Sequence, residues 1–225
     1  MKIGKAIVLA SGGLDSAVCL AEAVRECDVA LLHINYGQRT EGRELQAFHD
    51  LADHYGVAGA DRLVVDISYL KTIGGSSLVD TSMEVETGLP GEGQQVPSTY
   101  VPFRNAHILC VGMSWAEVMG ARALFIGAVE EDGSGYPDCR QEFYDKFAAA
   151  ADAGTRPQTR VAIRTPLITM NKAAIVKRGL QLEAPLHLTW SCYTDSEAAC
   201  GVCESCRLRL RGFEQAGATD PIAYR

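Results

Sequence analysis

A glycine-rich turn lies between the first two regular segments of the chain. The turn reads SGGLDS, from Ser11 to Ser16, and it follows the apolar run Lys5–Ala10, which is typical of a buried strand. It leads into Leu14–Glu26, whose apolar residues recur at helical spacing. Its two glycines can adopt positive φ, and the backbone amides at a helix N-terminus attract anions. This strand–turn–helix unit therefore predicts a phosphate-binding loop.

Strand-like and helical segments alternate along the rest of the chain, which predicts right-handed βαβ units. We expect an α/β fold with one doubly wound, parallel, five-stranded sheet, and a ligand at the carboxyl ends of its strands. The α/β domain is expected to span residues 1–185, with a metal-binding segment, 186–225, packed on it. The predicted strands are Lys5–Ala10, Val29–Asn35, Arg62–Ile67, Ala123–Val129 and Arg160–Thr165, and the predicted helices are Leu14–Glu26, Glu41–Tyr55, Asn105–Met119, Glu142–Ala153, Asn171–Leu182 and Glu204–Gln215.

Composition and charge argue against several classes of protein. The chain has 225 residues and a formal net charge of −7, whereas nucleic-acid-binding proteins usually carry a basic patch, so we expect no nucleic-acid partner. The N-terminal apolar run is too short for a signal peptide or a membrane helix. These features predict a cytoplasmic protein without a membrane partner. Arg207, Arg209 and Arg211, which alternate near the C-terminus, are expected on a solvated face.

Four of the eight cysteines lie within 15 residues near the C-terminus. Their spacing is C-x7-C-x2-C-x2-C, and four thiolates in a tight turn are typical of a structural zinc site. An iron–sulfur cluster is the alternative, because C-x2-C-x2-C also occurs in ferredoxins. The predicted ligands are Cys192, Cys200, Cys203 and Cys206.

The segment 71–97 is rich in Gly, Ser, Thr and Pro and shows no clear period. Long loops in compact domains are usually functional, so we expect this one to be mobile without ligand and to become ordered when ligand binds. Three short motifs are expected at the carboxyl edge of the sheet. They read YGQR at 36–39, TYVPFRN at 99–105 and GSGYPDCR at 133–140.

The SGGLDS loop lacks the Gly-Lys-Ser/Thr ending of a Walker A loop. It resembles the loop of the N-type ATP pyrophosphatases, which include GMP synthetase, asparagine synthetase, NAD synthetase and tRNA thiolases. This resemblance implies a Rossmann-like fold of the adenine nucleotide hydrolase type, and cleavage of ATP to AMP and pyrophosphate. A carboxylate such as Asp15 in an anion site is explained if it binds Mg²⁺ carried by the nucleotide.

Together, the loop, the three motifs and the cysteine cluster resemble the 7-cyano-7-deazaguanine synthase family of queuosine biosynthesis over nearly the whole chain. The resemblance implies a ligase that uses ATP, ammonia and 7-carboxy-7-deazaguanine, with adenylated acid and amide intermediates, and it suggests a homodimer. It assigns the nucleotide to Ser11, Gly12, Gly13, Asp15 and Ser16, with Gln38 and Arg39 near the phosphates or the acyl-adenylate. It assigns the substrate to Arg104, Asn105, Tyr136 and Asp138, with Arg104 as a charge clamp on the phosphates or the substrate carboxylate. Asp15 and Arg104 are the candidate catalytic residues.

The chain departs from the family pattern at two places. Phe103 stands where the family usually has Gly or Ala, and EEDG at 130–133 replaces a more usual segment. These differences leave open a relative that stops at the amide. A tRNA thiolase and a nucleotide-binding module without turnover are the alternative functions.

Overall fold

Five short parallel strands form one sheet in the computed structural model, which describes residues 2–85, 87, 96–130 and 135–225. Each strand is flanked by helical or irregular crossovers, as parallel pairing requires. The strands are β1 (Lys5–Leu9), β2 (Asp28–Asn35), β3 (Arg62–Asp66), β4 (Ala123–Ile126) and β5 (Ala162–Arg164).

The order of strands in the sheet is β3-β2-β1-β4-β5. The chain moves outward from β1 through β2 to β3, then returns to pair β4 with the other side of β1. Strand order therefore reverses between β1 and β4, and a crevice opens where their carboxyl ends diverge. The prediction of a five-stranded, parallel, doubly wound sheet is confirmed.

Helices cover both faces of the sheet. Alternate residues of β1 point to opposite faces, so Val8 joins one apolar cluster with Phe48 and Leu167, while Ile7 joins a second with Leu109. The helices are α1 (Leu14–Glu26), α2 (Glu41–His54), α3 (Tyr69–Ile73), α4 (Arg104–Met119), α5 (Gln141–Gly154), α6 (Lys172–Gln181) and α7 (Glu204–Ala216). None of the helices in the described ranges is long and apolar enough to cross a membrane.

Two sequence-based boundaries are corrected. β4 ends at Ile126 and not at Val129, because Gly127 lets the chain turn away from the sheet against the phosphate loop. The segment 71–97 is not structureless at its start, since α3 ends at Ile73 and Leu78 is buried in the second cluster. Residues 86 and 88–95 of that segment, and 131–134 of the later loop, lie outside the described residues.

The C-terminal segment packs on α6. Gly212 in α7 allows close approach, because a Cβ there would lie 2.5 Å from Cγ of Lys172. Arg209 is 1% exposed and forms an ion pair with Asp220 at 2.7 Å, so the expectation that it is solvated is wrong. Its guanidinium also donates to Thr189 Oγ1 at 2.7 Å. Burial of this arginine is tolerated because a carboxylate and several oxygens satisfy it.

Candidate active site

A cavity of about 310 Å³ lies at the carboxyl ends of β1, β2 and β4. Its walls come from the phosphate loop, the start of α4, the turn after β4, the first residue of α6, the segment before the cysteine cluster and the first turns of α7. The position matches the crevice at the reversal of strand order, where doubly wound folds bind ligands.

The phosphate loop is held by its own hydroxyls and by contact with α2. Gly12 has φ +87°, and a Cβ there would lie 2.6 Å from the carbonyl oxygen of Glu44. Ser11 Oγ donates to Ser16 Oγ at 3.1 Å, and the Gly13 amide donates to Ser11 Oγ at 3.3 Å. Gly13 is the N-cap of α1 and has no side chain to cap it. No side chain therefore caps the first amides of α1, and amides at a helix N-terminus can bind an anion.

The turn after β4 supports the loop from the other side. A Cβ on Gly127 would lie 2.8 Å from the carbonyl oxygen of Asp15, so only glycine allows this contact without displacement. Buried His33 supports the loop at its base, because one ring nitrogen lies 3.0 Å from the Ala10 carbonyl oxygen and the other 2.9 Å from Asn35 Oδ1. The loop is thus preorganised by three elements.

Asp15 lines the cavity and is paired with a lysine that sequence reasoning missed. Lys172 Nζ lies 2.8 and 2.9 Å from the two carboxylate oxygens of Asp15. Lys172 also lines the cavity, so the structure brings a cation to the phosphate loop from a residue 157 positions away. Its location at the start of α6 carries no local motif by which it could have been found.

Arg104 lies at the first position of α4 and lines the same cavity. Its guanidinium donates to Tyr36 Oη at 3.2 Å and lies 5.1 Å from the centre of the Tyr36 ring. Its buried Nε has no hydrogen-bond partner among the described residues. Buried donors are normally paired, so this one is suited to an anionic ligand.

The structure separates two residues that the YPDCR motif suggests together. Tyr136 lines the cavity and donates to Thr99 Oγ1 at 2.7 Å. Asp138 is 3% exposed, does not line the cavity, and accepts from the Asn105 amide at 3.0 Å. Asn105 itself reaches the cavity, so Asp138 lies behind it. Asp138 Oδ1 has no partner among the described residues, and burial raises the pKa of its carboxyl.

Cys139 also lines the cavity, next to Asn105. Asn105 Nδ2 donates to its Sγ at 3.3 Å. Burial, together with the nearby charge of Asp138, raises the pKa of the thiol to about 11. A thiol of this kind is a poor nucleophile at neutral pH.

Gln38 and Arg39, which were expected near the phosphates, do not line the described part of the cavity. Gln38 is 5% exposed and its side chain bonds to the Tyr36 amide and to Glu44. Arg39 donates to the carbonyl oxygens of Ser77 and Asp80 at 2.8 and 2.9 Å. Gln38 therefore stabilises the cavity wall, and Arg39 holds the segment after α3 through hydrogen bonds to its carbonyl oxygens.

Aromatic and acidic side chains to which the sequence analysis gave no role complete the cavity. Burial raises the pKa of Tyr36 to about 12, and burial raises the pKa of the Glu44 carboxyl to about 7. Trp190 is held by Arg43, whose guanidinium carbon lies 4.6 Å from the ring centre. The other lining residues of this kind are Tyr193 and Glu204.

The four cysteines that the sequence singles out form a compact, buried group. Their sulfur atoms all lie within 4.8 Å of one another, and none of the four residues is more than 6% exposed. A zinc ion with ligands at about 2.3 Å would require sulfurs roughly 3.8 Å apart. Backbone amides of Cys200 and Cys203 donate to neighbouring sulfurs at 3.4 and 3.3 Å, as thiolates accept. The group could therefore hold a metal ion.

The cysteine group is joined directly to the cavity. Cys203 and Cys206 belong to the group, whereas Glu204 and Ser205 between them line the cavity. The Trp190 amide, just before the first cysteine, donates to the Gly12 carbonyl at 2.9 Å. A metal held there would fix one wall of the cavity and one contact of the phosphate loop.

Comparisons with known proteins agree on one family. The family model for the queuosine biosynthesis protein QueC matches residues 5–217. Proteins named 7-cyano-7-deazaguanine synthase from Chlorobium phaeobacteroides and Chlorobaculum tepidum are 55% and 52% identical to the chain, each over 98% of it and 96% of the relative. One from Koribacter versatilis is 50% identical over 98% of the chain and 93% of the relative. With a match of this extent, the chain belongs to the QueC family of queuosine biosynthesis proteins.

Proposed function

We propose that this chain is a 7-cyano-7-deazaguanine synthase, an enzyme of queuosine biosynthesis that uses ATP and ammonia to convert 7-carboxy-7-deazaguanine to the nitrile. The observation that carries the proposal is the meeting of the phosphate loop and Arg104 in one cavity. A carboxylate substrate and a triphosphate are both anionic, and both need cationic and N–H partners at one place.

In this proposal the phosphate loop holds the nucleotide. The hydroxyls of Ser11 and Ser16 and the first amides of α1 bind phosphate oxygens, and Lys172 adds positive charge beside them. Mg²⁺, when bound with ATP, would neutralise phosphate charge and take Asp15 as its ligand. That role requires Asp15 to exchange its contact with Lys172 for the metal ion.

Arg104 orients the carboxylate for attack on the α-phosphorus. Its Nε supplies a donor that the described protein leaves unpaired, and its stacking on Tyr36 fixes the guanidinium plane. Tyr136 and Asn105 line the wall next to it and are the proposed contacts to the deazaguanine ring. Asp138 acts behind Asn105, by holding the start of α4.

The proposal assigns Zn²⁺ to the four cysteines, as a structural ion. Buried thiolates alone, with short Cys-x2-Cys spacings, match the ligand set that zinc prefers in structural sites. Measurement of the metal content of the purified protein distinguishes zinc from an iron–sulfur cluster, which would be coloured and contain labile sulfide.

The function is tested by incubating the protein with ATP, Mg²⁺, ammonium and 7-carboxy-7-deazaguanine, followed by mass spectrometry. The expected products are the nitrile, AMP and pyrophosphate. The amide alone would indicate an enzyme that stops halfway and would direct attention to Phe103, which is 57% exposed next to Arg104. ATP binding without substrate-dependent AMP would favour a nucleotide-binding module instead.

The proposal includes a cytoplasmic homodimer. Phe103, the residue before α4, and Val118, near the end of α4, are exposed apolar side chains, the latter at 76% exposure. Either could pack against a second copy of the chain. Light scattering after size exclusion would give the mass of two 24.2 kDa chains if this holds.

A further inference from the structure

We propose that Glu44 accepts the protons released by the nitrogen atom that the enzyme installs, an inference that rests on the function proposed above. Nitrile formation from a carboxylate and ammonia releases protons at one atom. Arg104 is a cation, and Asp15, the carboxylate of the phosphate loop, is paired with Lys172. Glu44 lines the cavity and is placed to accept the protons.

Glu44 lies next to the phosphate loop. It belongs to the first turn of α2, and its carbonyl oxygen is so near Gly12 that a Cβ there would lie only 2.6 Å away. The positive charge of Arg104 also lowers the pKa of the Glu44 carboxyl. The reacting carbon of the substrate would lie between the phosphate loop and Arg104, so Glu44 borders that position.

The carboxyl of Glu44 is held by two hydrogen bonds. Thr40 Oγ1 donates to Oε1 at 2.8 Å, and Gln38 Nε2 donates to Oε2 at 3.2 Å. Gln38 is itself oriented because its Oε1 accepts from the Tyr36 amide at 2.9 Å. A carboxylate has about four acceptor positions, so two bonds fix its orientation and leave room for a proton.

Thr40 can accommodate Glu44 in both protonation states. Its hydroxyl has one hydrogen but two acceptors in reach, Glu44 Oε1 at 2.8 Å and the Cys192 carbonyl at 3.2 Å. When Glu44 is ionised, Thr40 donates to it. When Glu44 is protonated, it can donate to Thr40, which then donates to the Cys192 carbonyl. Neither state leaves the Thr40 hydroxyl without a partner.

The surroundings of Glu44 bring the pKa of its carboxyl close to neutral pH. Burial raises the pKa of this carboxyl most, and the charge of Glu41 on the same helix raises it further. The hydrogen bonds from Thr40 and Gln38 and the charge of Arg104 lower it. The resulting pKa is about 7. Tyr36, at the end of β2, is neutral because burial raises its pKa to about 12. A general base is most effective when its pKa is near the working pH.

The protons to be removed belong to two steps. In the first, the lone pair of ammonia forms a C–N bond with the adenylated carboxyl carbon, one N–H proton goes to the carboxylate of Glu44, and the C–O bond breaks as AMP leaves. In the second, the amide oxygen attacks the α-phosphorus of another ATP and pyrophosphate leaves. The nitrogen then gives one proton to Glu44, which passes it on to water. Glu44 accepts the second proton as the C–O bond to AMP breaks and the nitrile forms.

A single base can serve both steps because the protons come from the same nitrogen. The carbon that carries this nitrogen stays attached to the bound ring, so the N–H bonds remain on one side of the cavity. The other carboxylates of the described cavity have other contacts. Asp15 is paired with Lys172 and is the proposed ligand of Mg²⁺, and Glu204 accepts from Thr99 Oγ1 at 3.1 Å. Glu44 is therefore the better placed acceptor.

The test uses the metal-loaded full chain and the amide, 7-amido-7-deazaguanine, as substrate with ATP and Mg²⁺. Starting from the amide keeps the protonation of ammonia out of the pH profile. The wild type should lose nitrile-forming rate as pH falls below about 7. Glu44→Gln should be slower by about 10² to 10⁴ and should lack this acid limb, as expected for loss of a general base.

Glu41→Gln is the matched control for rate, because Glu41 lies in the same helical turn but does not line the described cavity. Since the charge of Glu41 raises the pKa of Glu44, this control should keep the acid limb but shift it to lower pH. Binding of ATP to Glu44→Gln, measured by calorimetry, should remain within about threefold of the control. A Glu44→Gln enzyme that keeps the acid limb, or that matches the control in rate, would overturn the inference.

A variant that does not fold still leaves two decisive results. A wild-type profile without an ionisation between about pH 6 and 8 contradicts the role of Glu44, and so does an acid limb that stays unchanged in Glu44→Asp. A wild type that gives no nitrile from either the acid or the amide removes the proposed function, and the inference with it. That failure is distinguishable because it appears in the wild type and not in the variant.

Discussion

Arg104 and Glu44 line one cavity, and both are partly buried. A charge in such a place interacts more strongly with its neighbours than it would at the surface, so single substitutions there should have large effects. Lys172 and Asp15 form a third charged group at the phosphate loop. Each of these side chains belongs to a different helix, so they interact with one another only in the folded chain.

Replacement of Arg104 by lysine should lower kcat/KM for 7-carboxy-7-deazaguanine by about 10². Lysine keeps the positive charge but lacks the planar guanidinium that stacks on Tyr36 and presents Nε. Steady-state kinetics would measure the effect, with Arg160→Lys, at an exposed position away from the cavity, as control. Equal kinetics for Arg104→Lys and the control would show that charge alone suffices.

Glu44 should also make the stability of the protein depend on pH. Its carboxyl binds a proton more tightly in the folded chain than in the unfolded chain, because burial raises its pKa from 4.5 to about 7. The free energy of unfolding should therefore fall by roughly 3 kcal/mol as pH rises from about 4.5 to 7. Denaturant titrations at several pH values should show a smaller fall in Glu44→Gln than in Glu41→Gln.

Close contacts between elements hold the phosphate loop in place. The turn after β4 touches the loop at Gly127, α2 touches it at Gly12, and the segment before the cysteines bonds to it through Trp190. α7 carries metal-ligand candidates and cavity residues in the same turn. The site therefore lies where several helices and turns meet, and glycines at the contacts allow their backbones to approach closely.

Substitution of Gly127 by alanine should weaken ATP binding at least tenfold. The new Cβ would lie 2.8 Å from the Asp15 carbonyl, so the loop or the end of β4 would have to shift. Calorimetric titration with ATP would measure the loss. Gly42→Ala is the control, because nothing lies within 4 Å of a Cβ there and the change should stabilise α2 by about 0.5–1 kcal/mol.

The molecule as a whole joins a doubly wound sheet to a C-terminal cysteine group. The two are connected by the packing of α7 on α6. Within the C-terminal segment, the Arg209–Asp220 ion pair, which is almost fully buried, joins α7 to the tail. The tyrosine of the C-terminal tail, Tyr224, also donates to Asp220 at 2.6 Å. Changes at the cysteine group should therefore alter the affinity for the nucleotide.

Removal of the metal should lower both thermal stability and ATP affinity. We expect one zinc per chain, and chelation or Cys206→Ser should lower Tm by several degrees, because buried thiolates would lose the ion that compensates them. Differential scanning fluorimetry with and without ATP would measure both effects. The control is Cys110→Ser, an exposed cysteine outside the group, which should behave as wild type.

The amino-acid sequence by itself determined the parallel α/β fold, the phosphate loop and the four cysteines. These depend on local features: apolar periodicity, glycines between a strand and a helix, and short cysteine spacings. Tertiary structure alone decided that Lys172 meets Asp15, that Arg209 is buried, and that Gln38 and Arg39 brace the wall of the cavity. It also placed Glu44 in the cavity, because contacts between residues far apart in sequence leave no local pattern and arise only when the chain folds.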